Sequence, residues 1–250
     1  MSKKVIEAKN VDYKYPDGYR AIKNISLYVK EGEKLGIIGA NGAGKSTMLK
    51  LLIGILSAES GKIIINDILI NKKNLKEIRK NVGFVFQESD NQLFMNTVYD
   101  DIVFGLRSSK ESEENIKLKV NTIIEKFQIE KLINKQIYKL SGGEKKIVSI
   151  AGIMIMNPKI ILMDEVTSSL DPKSRRIVIN LIKDLKETIV IASHDLDMIL
   201  DVCDRVLVLN NGEIIQEGQS YSILSNKKIM EESNLELPLS LIKNKFIKKC

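Results

Sequence analysis

Cysteine and histidine are scarce in this chain. Its 250 residues include two cysteines and one histidine, and Cys203 and Cys250 lie far apart. That count excludes a disulfide framework and a Cys/His metal cluster. No apolar run approaches the roughly 18 residues that a membrane-spanning helix needs. The opening Met1-Ser-Lys-Lys-Val-Ile-Glu7 carries no signal-peptide apolar core, so the chain is expected to stay in the cytosol. No internal repeat is visible, which argues against a repeat architecture.

What is present is ordinary for a globular protein: 44% hydrophobic and 28% charged residues. The length is enough for one large domain with room for an inserted subdomain. The formal net charge of +7 leaves nucleic acid or an anionic membrane surface open as partners. The lysines, however, are spread along the chain. They cluster only between Lys72 and Lys80 and in the tail Lys243–Lys249, and most of them read as solvated surface.

One stretch carries strong chemistry. Gly39-Ala40-Asn41-Gly42-Ala43-Gly44-Lys45-Ser46-Thr47 reads G-x-x-x-x-G-K-S, a phosphate-binding loop. A triphosphate needs several backbone N–H groups converging on it, and bulky Cβ atoms would prevent that approach. Gly39, Gly42 and Gly44 permit it, Lys45 brings a point charge to the β/γ-phosphates, and the Ser46 hydroxyl is a ligand for Mg²⁺. The apolar run Leu35–Ile38 before the loop reads as a strand. The pattern Met48, Leu49, Leu52, Ile53 after it reads as a helix whose N-terminus faces the phosphates.

The rest of the chain has the pattern of an α/β protein. Val5–Val11 and Asn24–Val29 alternate apolar and polar residues, as half-exposed antiparallel strands do, and Tyr15-Pro-Asp-Gly18 between them is a turn. Tyr15 is either a base-stacking ring or a partly buried strand tyrosine. Lys62–Asn66 and Val82–Phe86 read as strands and Leu75–Lys80 as a helical turn. Thr97–Asn134 reads as helical, with Ile116, Val120, Ile123, Ile124 and Phe127 on one face. A helix opens at Leu140-Ser141-Gly142-Gly143-Glu144 and stops at Asn157-Pro158. Lys159–Glu165 is an apolar strand ending in Asp164 and Glu165, as a buried parallel strand ends where α/β sheets place their sites. Pro172–Leu185 is a helix, Thr188–Ala192 a strand ending before His194, and Asn210-Asn-Gly212 the turn of a hairpin. A weakly patterned helical tail follows from Asn226.

Together these motifs resemble the ATP-binding subunit of an ABC transporter, from about Val5 to Leu224. In that family Gly39–Thr47 is the Walker A loop, Gln87 the Q-loop glutamine, Leu140–Glu144 the signature and Ile160–Asp164 Walker B. Glu165 matches the catalytic glutamate, Ser168–Asp171 the D-loop, His194 the switch histidine and Tyr15 the adenine-stacking aromatic. The resemblance implies a P-loop NTPase (RecA-like) fold: a mostly parallel α/β core (about 1–87 and 158–225), an N-terminal antiparallel β subdomain, an inserted all-helical signature subdomain (about 88–157) and a tail (226–250). Two positions depart from the pattern. Glu144 stands where many members have Gln. Val166 stands where the family has proline, which would leave the turn after Glu165 freer.

The segments Phe86–Phe94 and Thr97–Gly105 are similar to the energy-coupling-factor group, which drives uptake of vitamins and of metal ions such as cobalt and nickel; Leu237-Pro238-Leu239 leans to the cobalt/nickel branch. The resemblance implies ATP hydrolysis, with ATP and Mg²⁺ as cofactors. Ser46 and Gln87 would bind the metal with Asp164 behind them, Glu165 would orient or deprotonate the water, and His194 would sense the γ-phosphate. Ser141, Gly142, Gly143 and Glu144 would close on the ATP of a second subunit, in a homo- or heterodimer, and Asp171 would couple the two sites. An integral membrane coupling subunit would dock around Asp90, Phe94 and Tyr99, and a solute-binding membrane subunit would complete the complex. The chain would then sit peripherally on the cytoplasmic face of the membrane, with no nucleic acid as partner. DNA-repair and chromosome ATPases share the signature but carry a long coiled-coil insertion, and translation-factor ATPases carry two phosphate loops; neither feature occurs here. A regulatory ATPase without a transporter is the third reading.

Overall fold

Every residue of Ile160-Ile-Leu-Met-Asp164 is buried, because the strand lies between two apolar layers and alternate side chains enter each. Ile161 and Met163 belong to one core, Ile160 and Leu162 to the other. The computed structural model, which describes residues 3–242, builds both layers from the order of its elements.

The chain runs β1 (Lys4–Lys14), β2 (Arg20–Lys30), β3 (Lys34–Ile38), α1 (Lys45–Leu52), β4 (Ser60–Ile65), β5 (Ile68–Leu69), α2 (Leu75–Asn81) and β6 (Val82–Val85). Then come α3 (Val98–Ser108), α4 (Glu113–Phe127), α5 (Gly142–Met154), β7 (Ile160–Asp164), α6 (Pro172–Asp184) and β8 (Thr188–Ala192). The chain closes with α7 (Leu196–Val202), β9 (Arg205–Asn210), β10 (Glu213–Gln219), α8 (Ser220–Leu224) and α9 (Lys227–Glu232). Single 3₁₀ turns occur at Ser89–Asn91 and Ile137–Lys139.

Two sheets result. The antiparallel one has the order β2-β1-β4-β5; the larger has six strands in the order β10-β9-β3-β8-β7-β6. In the larger sheet β6, β7, β8, β3 and β9 pair in parallel and β10 returns along β9 as a hairpin. The antiparallel sheet and α1 share one core with Ile160, Leu162, Val190 and Ala192. Helices α3 to α7 share the other with Ile161, Met163, Ile189 and Ile191. Helices α1 and α5 therefore lie on opposite faces of the parallel sheet.

Between β6 and β7 the described chain is helical, apart from an isolated bridge between Thr97 and Gln136. The run expected from Thr97 to Asn134 is broken: α3 ends at Ser108, and Ser112 caps α4 through the Asn115 N–H. Helix α4 stops at Gln128, which adopts φ +54°, and turns carry the chain onward. This segment shares its core with α6 and α7. Helices α7 and α8 and the two-residue β5 were not read from the sequence. The expected helical tail divides into α9 and a helical turn at 239–242, separated by a turn and irregular chain. The basic cluster Lys243–Lys249 and Cys250 lie outside the described residues; Cys203 is buried.

Candidate nucleotide site

Strands β3, β7 and β8 run parallel in adjacent positions, so their carboxyl ends deliver Gly39, Glu165 and Ser193 to one edge of the sheet. The loop after β3 turns through three glycines with positive φ: Gly39 (+154°), Gly42 (+80°) and Gly44 (+105°). Gly39 is pressed on the Leu209 carbonyl and Gly44 on the Ala21 carbonyl, so neither has room for a Cβ. Gly44 is the N-cap of α1 and supplies no side-chain cap; the helix therefore presents its first N–H groups to whatever lies in front of it. Ala43 is buried, Ala40 half-buried and Asn41 exposed. The Ala43 N–H donates to the Ala40 carbonyl at 3.1 Å, and Gly212 of the β9–β10 turn donates to the Ala43 carbonyl at 3.1 Å.

Lys45 is buried, where a solvent-facing lysine would be expected from the motif alone. Its ammonium donates to the carbonyls of Gly39 (2.8 Å) and Ala40 (3.2 Å) and lies 3.9 Å from Glu165 Oε1. Burial lowers its pKa, opposed by Glu165 and Asp164. The Ser46 hydroxyl donates to Asp164 Oδ1 at 2.7 Å. Burial raises the Asp164 pKa, which the Ser46 hydrogen bond opposes. A hydroxyl and a carboxylate held this close, with a lysine beside them, form a hard-oxygen pair suited to a divalent cation.

Glu165 adopts φ +47°, strained for a residue with a Cβ. Its N–H donates to the Ala192 carbonyl at 2.9 Å, which ties it to β8. Its Oε2 accepts from the Ser193 hydroxyl (3.1 Å) and the His194 N–H (3.1 Å), and lies 2.7 Å from His194 Nδ1. Val166 is fully buried in the helix-side core. The turn expected to be freer without proline is thus anchored by packing.

Two tyrosines tie the first hairpin to the loop. The Tyr15 hydroxyl shares a hydrogen bond with Thr47 Oγ1 (2.9 Å), and the Tyr19 hydroxyl donates to the Gly42 carbonyl (2.9 Å). Tyr15 also packs edge-on against Tyr13.

The signature residues head α5 on the opposite face of the sheet from α1. Ser141 accepts from the Glu144 N–H while Glu144 accepts from the Ser141 N–H, a complete capping box. That backbone donor holds the Glu144 carboxyl below its usual range, helped by Lys135 at 3.0 Å. Gly142 is exposed; Gly143 is buried, and a side chain there would collide with Ser174 of α6. Asp171 caps α6 through the N–H groups of Lys173 and Ser174. The Gln87 side chain is exposed just beyond β6. Within one chain, then, Lys45, Ser46, Asp164, Glu165 and His194 converge, while Ser141–Glu144 and Asp171 stand apart as helix caps.

Sequence reasoning missed Ser193, Tyr19 and Gly212. For Ser193 a signal existed, since it lies between a buried strand and His194. Tyr19 and Gly212 act through contacts made only once the two hairpins meet the loop.

Among the described residues no helix is long and apolar enough to cross a membrane. A family model described as ABC transporter matches residues 22–168. An energy-coupling factor transporter ATP-binding protein, EcfA2 of Clostridium perfringens, is 37% identical over 244 residues, spanning 95% of this chain and 86% of that protein. The solved structure of CbiO1 from Clostridium perfringens, described as part of the ABC transporter complex cbiONQ, matches with a TM-score of 0.83 and 37% identity over 94% of this chain and 96% of that one. An ATP-binding cassette solved as a dimer in a post-hydrolysis state with ADP and Pi matches with a TM-score of 0.78 and 30% identity over 86% and 98%.

Proposed function

The chain belongs to the ABC transporter ATP-binding family and is an ATPase, and we propose that it powers an importer of the energy-coupling-factor type as one half of an ATP-closed dimer. The observation that carries this reading is the meeting of Lys45, the Ser46–Asp164 pair and the Glu165–His194 pair at the uncapped N-terminus of α1. The names of the relatives favour a transporter: one is an energy-coupling factor transporter ATP-binding protein and another is part of an ABC transporter complex, cbiONQ. The longest described helix, α4, has 15 residues, too short for the coiled coil of a DNA-repair ATPase.

The chemistry follows from the side chains. The loop N–H groups and Lys45 hold the β/γ-phosphates. Ser46 and Asp164, joined by Gln87, would hold Mg²⁺, which neutralises charge on the phosphate oxygens when bound. Glu165 Oε2 is engaged by Ser193 and His194, so Oε1, on the Lys45 side, is the oxygen that takes the proton of the attacking water.

Helices α1 and α5 occupy opposite sheet faces, so Ser141–Glu144 serve the nucleotide of a second subunit, and Asp171 at the α6 cap lies in the segment that joins the sites. Tyr15 stacks on the base. The membrane subunit docks on the patch around Asp90, Phe94 and Tyr99, where the exposed Phe94 and Phe104 stack edge-on, and the chain then sits at the cytoplasmic membrane face. The cargo is a small solute, a transition-metal ion such as cobalt or nickel, or a vitamin. Phosphate release from ATP with and without Mg²⁺, dimerisation on ATP, and copurification with an integral membrane subunit test the reading; ATP hydrolysis without dimerisation or membrane partner would replace it with the regulatory ATPase.

A further inference from the structure

Lys146 is the largest fully buried side chain among the described residues, 2% exposed, on the second turn of α5. Its ammonium donates to the carbonyls of Phe86 (2.9 Å) and Gln87 (2.7 Å). Both residues lie just beyond the last paired residue of β6, where main-chain carbonyls have left the sheet ladder. Burying this charge is costly: desolvation pushes its pKa down to about 8 against the pull of Glu88 and Asp164. An apolar side chain would fill the space without that cost and leave two carbonyls unpaired.

The contact is not isolated. Gln92 donates to the Ser149 carbonyl of α5 at 2.7 Å and accepts from the Phe86 N–H at 3.3 Å. Lys145 pairs with Asp90 at 2.6 Å. Three contacts within residues 145–149 of α5 thus hold the segment 86–92, and only the Lys146 link is both charged and buried.

We propose that Lys146 is a positioning residue that clamps the Gln87 main chain to the helix headed by Ser141, so that the Gln87 segment and the signature move as one body. The inference rests on the nucleotide reading of Gln87 and Ser141 given above. Its consequence is mechanical. A displacement of the 86–92 segment by a docked membrane subunit is passed to Ser141 through a charge-assisted pair of hydrogen bonds, and closure of Ser141 on nucleotide is passed back.

The test uses the full chain. Lys146→Met should lower kcat about tenfold while KM for ATP stays within about twofold, because turnover needs the aligned signature and Lys146 does not itself face ATP. Amide hydrogen exchange at 86–92 should speed up in Lys146→Met, with exchange in β3, β7 and β8 unchanged. Lys146→Arg, which keeps charge and donors, should restore both measurements. Unchanged exchange at 86–92, or no rescue by arginine, overturns the proposal. If Lys146→Met does not fold, Lys146→Gln is read by the same criteria. Gln87→Ala and Ser141→Arg are measured beside it. Wild-type turnover in either would refute the nucleotide reading, whereas loss in both with normal turnover in Lys146→Met refutes the clamp alone.

Discussion

Glu165 and His194 meet through one carboxylate oxygen: Oε2 is 2.7 Å from Nδ1 and also accepts from the Ser193 hydroxyl and the His194 N–H, leaving Oε1 3.9 Å from the Lys45 ammonium. Two hydrogen bonds on one oxygen, with Nδ1 close beside it, orient the carboxylate, and the other oxygen faces the phosphate loop.

Glu165→Gln keeps the shape and removes the basic oxygen. ATP binding should persist, turnover should fall by about 10²–10⁴, and a nucleotide-bound dimer should accumulate. Size exclusion with ATP and a steady-state phosphate assay read both. Near-normal hydrolysis would remove Glu165 from the base role despite its position.

Lys45→Ala removes the charge at the loop. ATP affinity should fall by about 10- to 100-fold, the range expected for a lost charge-assisted contact. Stability should change little: the lost hydrogen bonds to Gly39 and Ala40 are offset by relief of the burial that lowers the lysine pKa. Calorimetric titration and thermal unfolding separate the two effects. Unchanged affinity with an intact fold would place the nucleotide elsewhere.

Asp195 carries the acid sensitivity of this region. Burial pushes its pKa up, but the Arg175 guanidinium at 2.6 Å, the Met198 N–H and the Thr167 hydroxyl outweigh it and hold the carboxyl below its usual value. A depressed carboxyl stabilises the fold above its unfolded pKa, about 3.9, and loses that contribution as pH falls through its lower folded value. Asp195→Asn should therefore cost about 1–3 kcal/mol at pH 7, with the gap to wild type closing below about pH 4. Urea unfolding across pH checks this; a gap independent of pH would mean that the loss is steric.

Much of this arrangement was legible in the residues, because each local signal agrees with the fold. The all-apolar Ile160–Met163 reads as a strand covered on both faces, and the glycines of the loop occupy positive φ as the motif demands. What was hidden depends on distant contacts. Lys45 reads as a surface charge until the loop folds over it, and Val166 reads as a loosened turn until the helix-side core buries it. Gly143 reads as a phosphate-contacting glycine, yet its lack of a side chain is also required by Ser174 of α6. Leu196–Val202 went unread, since its cap Asp195 is recognisable only beside Arg175 and Thr167.

Ser141→Arg tests the second subunit. Ser141 heads α5, whose buried face joins the core on the side of the parallel sheet opposite α1. On the proposed reading a phosphate at the α1 terminus would not be met by Ser141 of the same chain, whereas two copies related by a two-fold axis would present each terminus to the other's nucleotide. Arginine at 141 puts bulk and charge where the partner's γ-phosphate would sit and removes the serine half of the capping box, a cost of about 1 kcal/mol. Ser141→Ala carries the same capping loss without the bulk and serves as the control. ATP-driven dimerisation, measured by size exclusion in the Glu165→Gln background, should be lost in the arginine variant and retained in the alanine one, while ATP affinity of the monomer stays near wild type. Mixing Ser141→Arg with Lys45→Ala chains yields dimers with one composite site broken twice and one intact. Partial recovery of ATPase activity follows if a single site can fire. Dimerisation of Ser141→Arg on ATP at wild-type levels would show that the signature does not act across the interface.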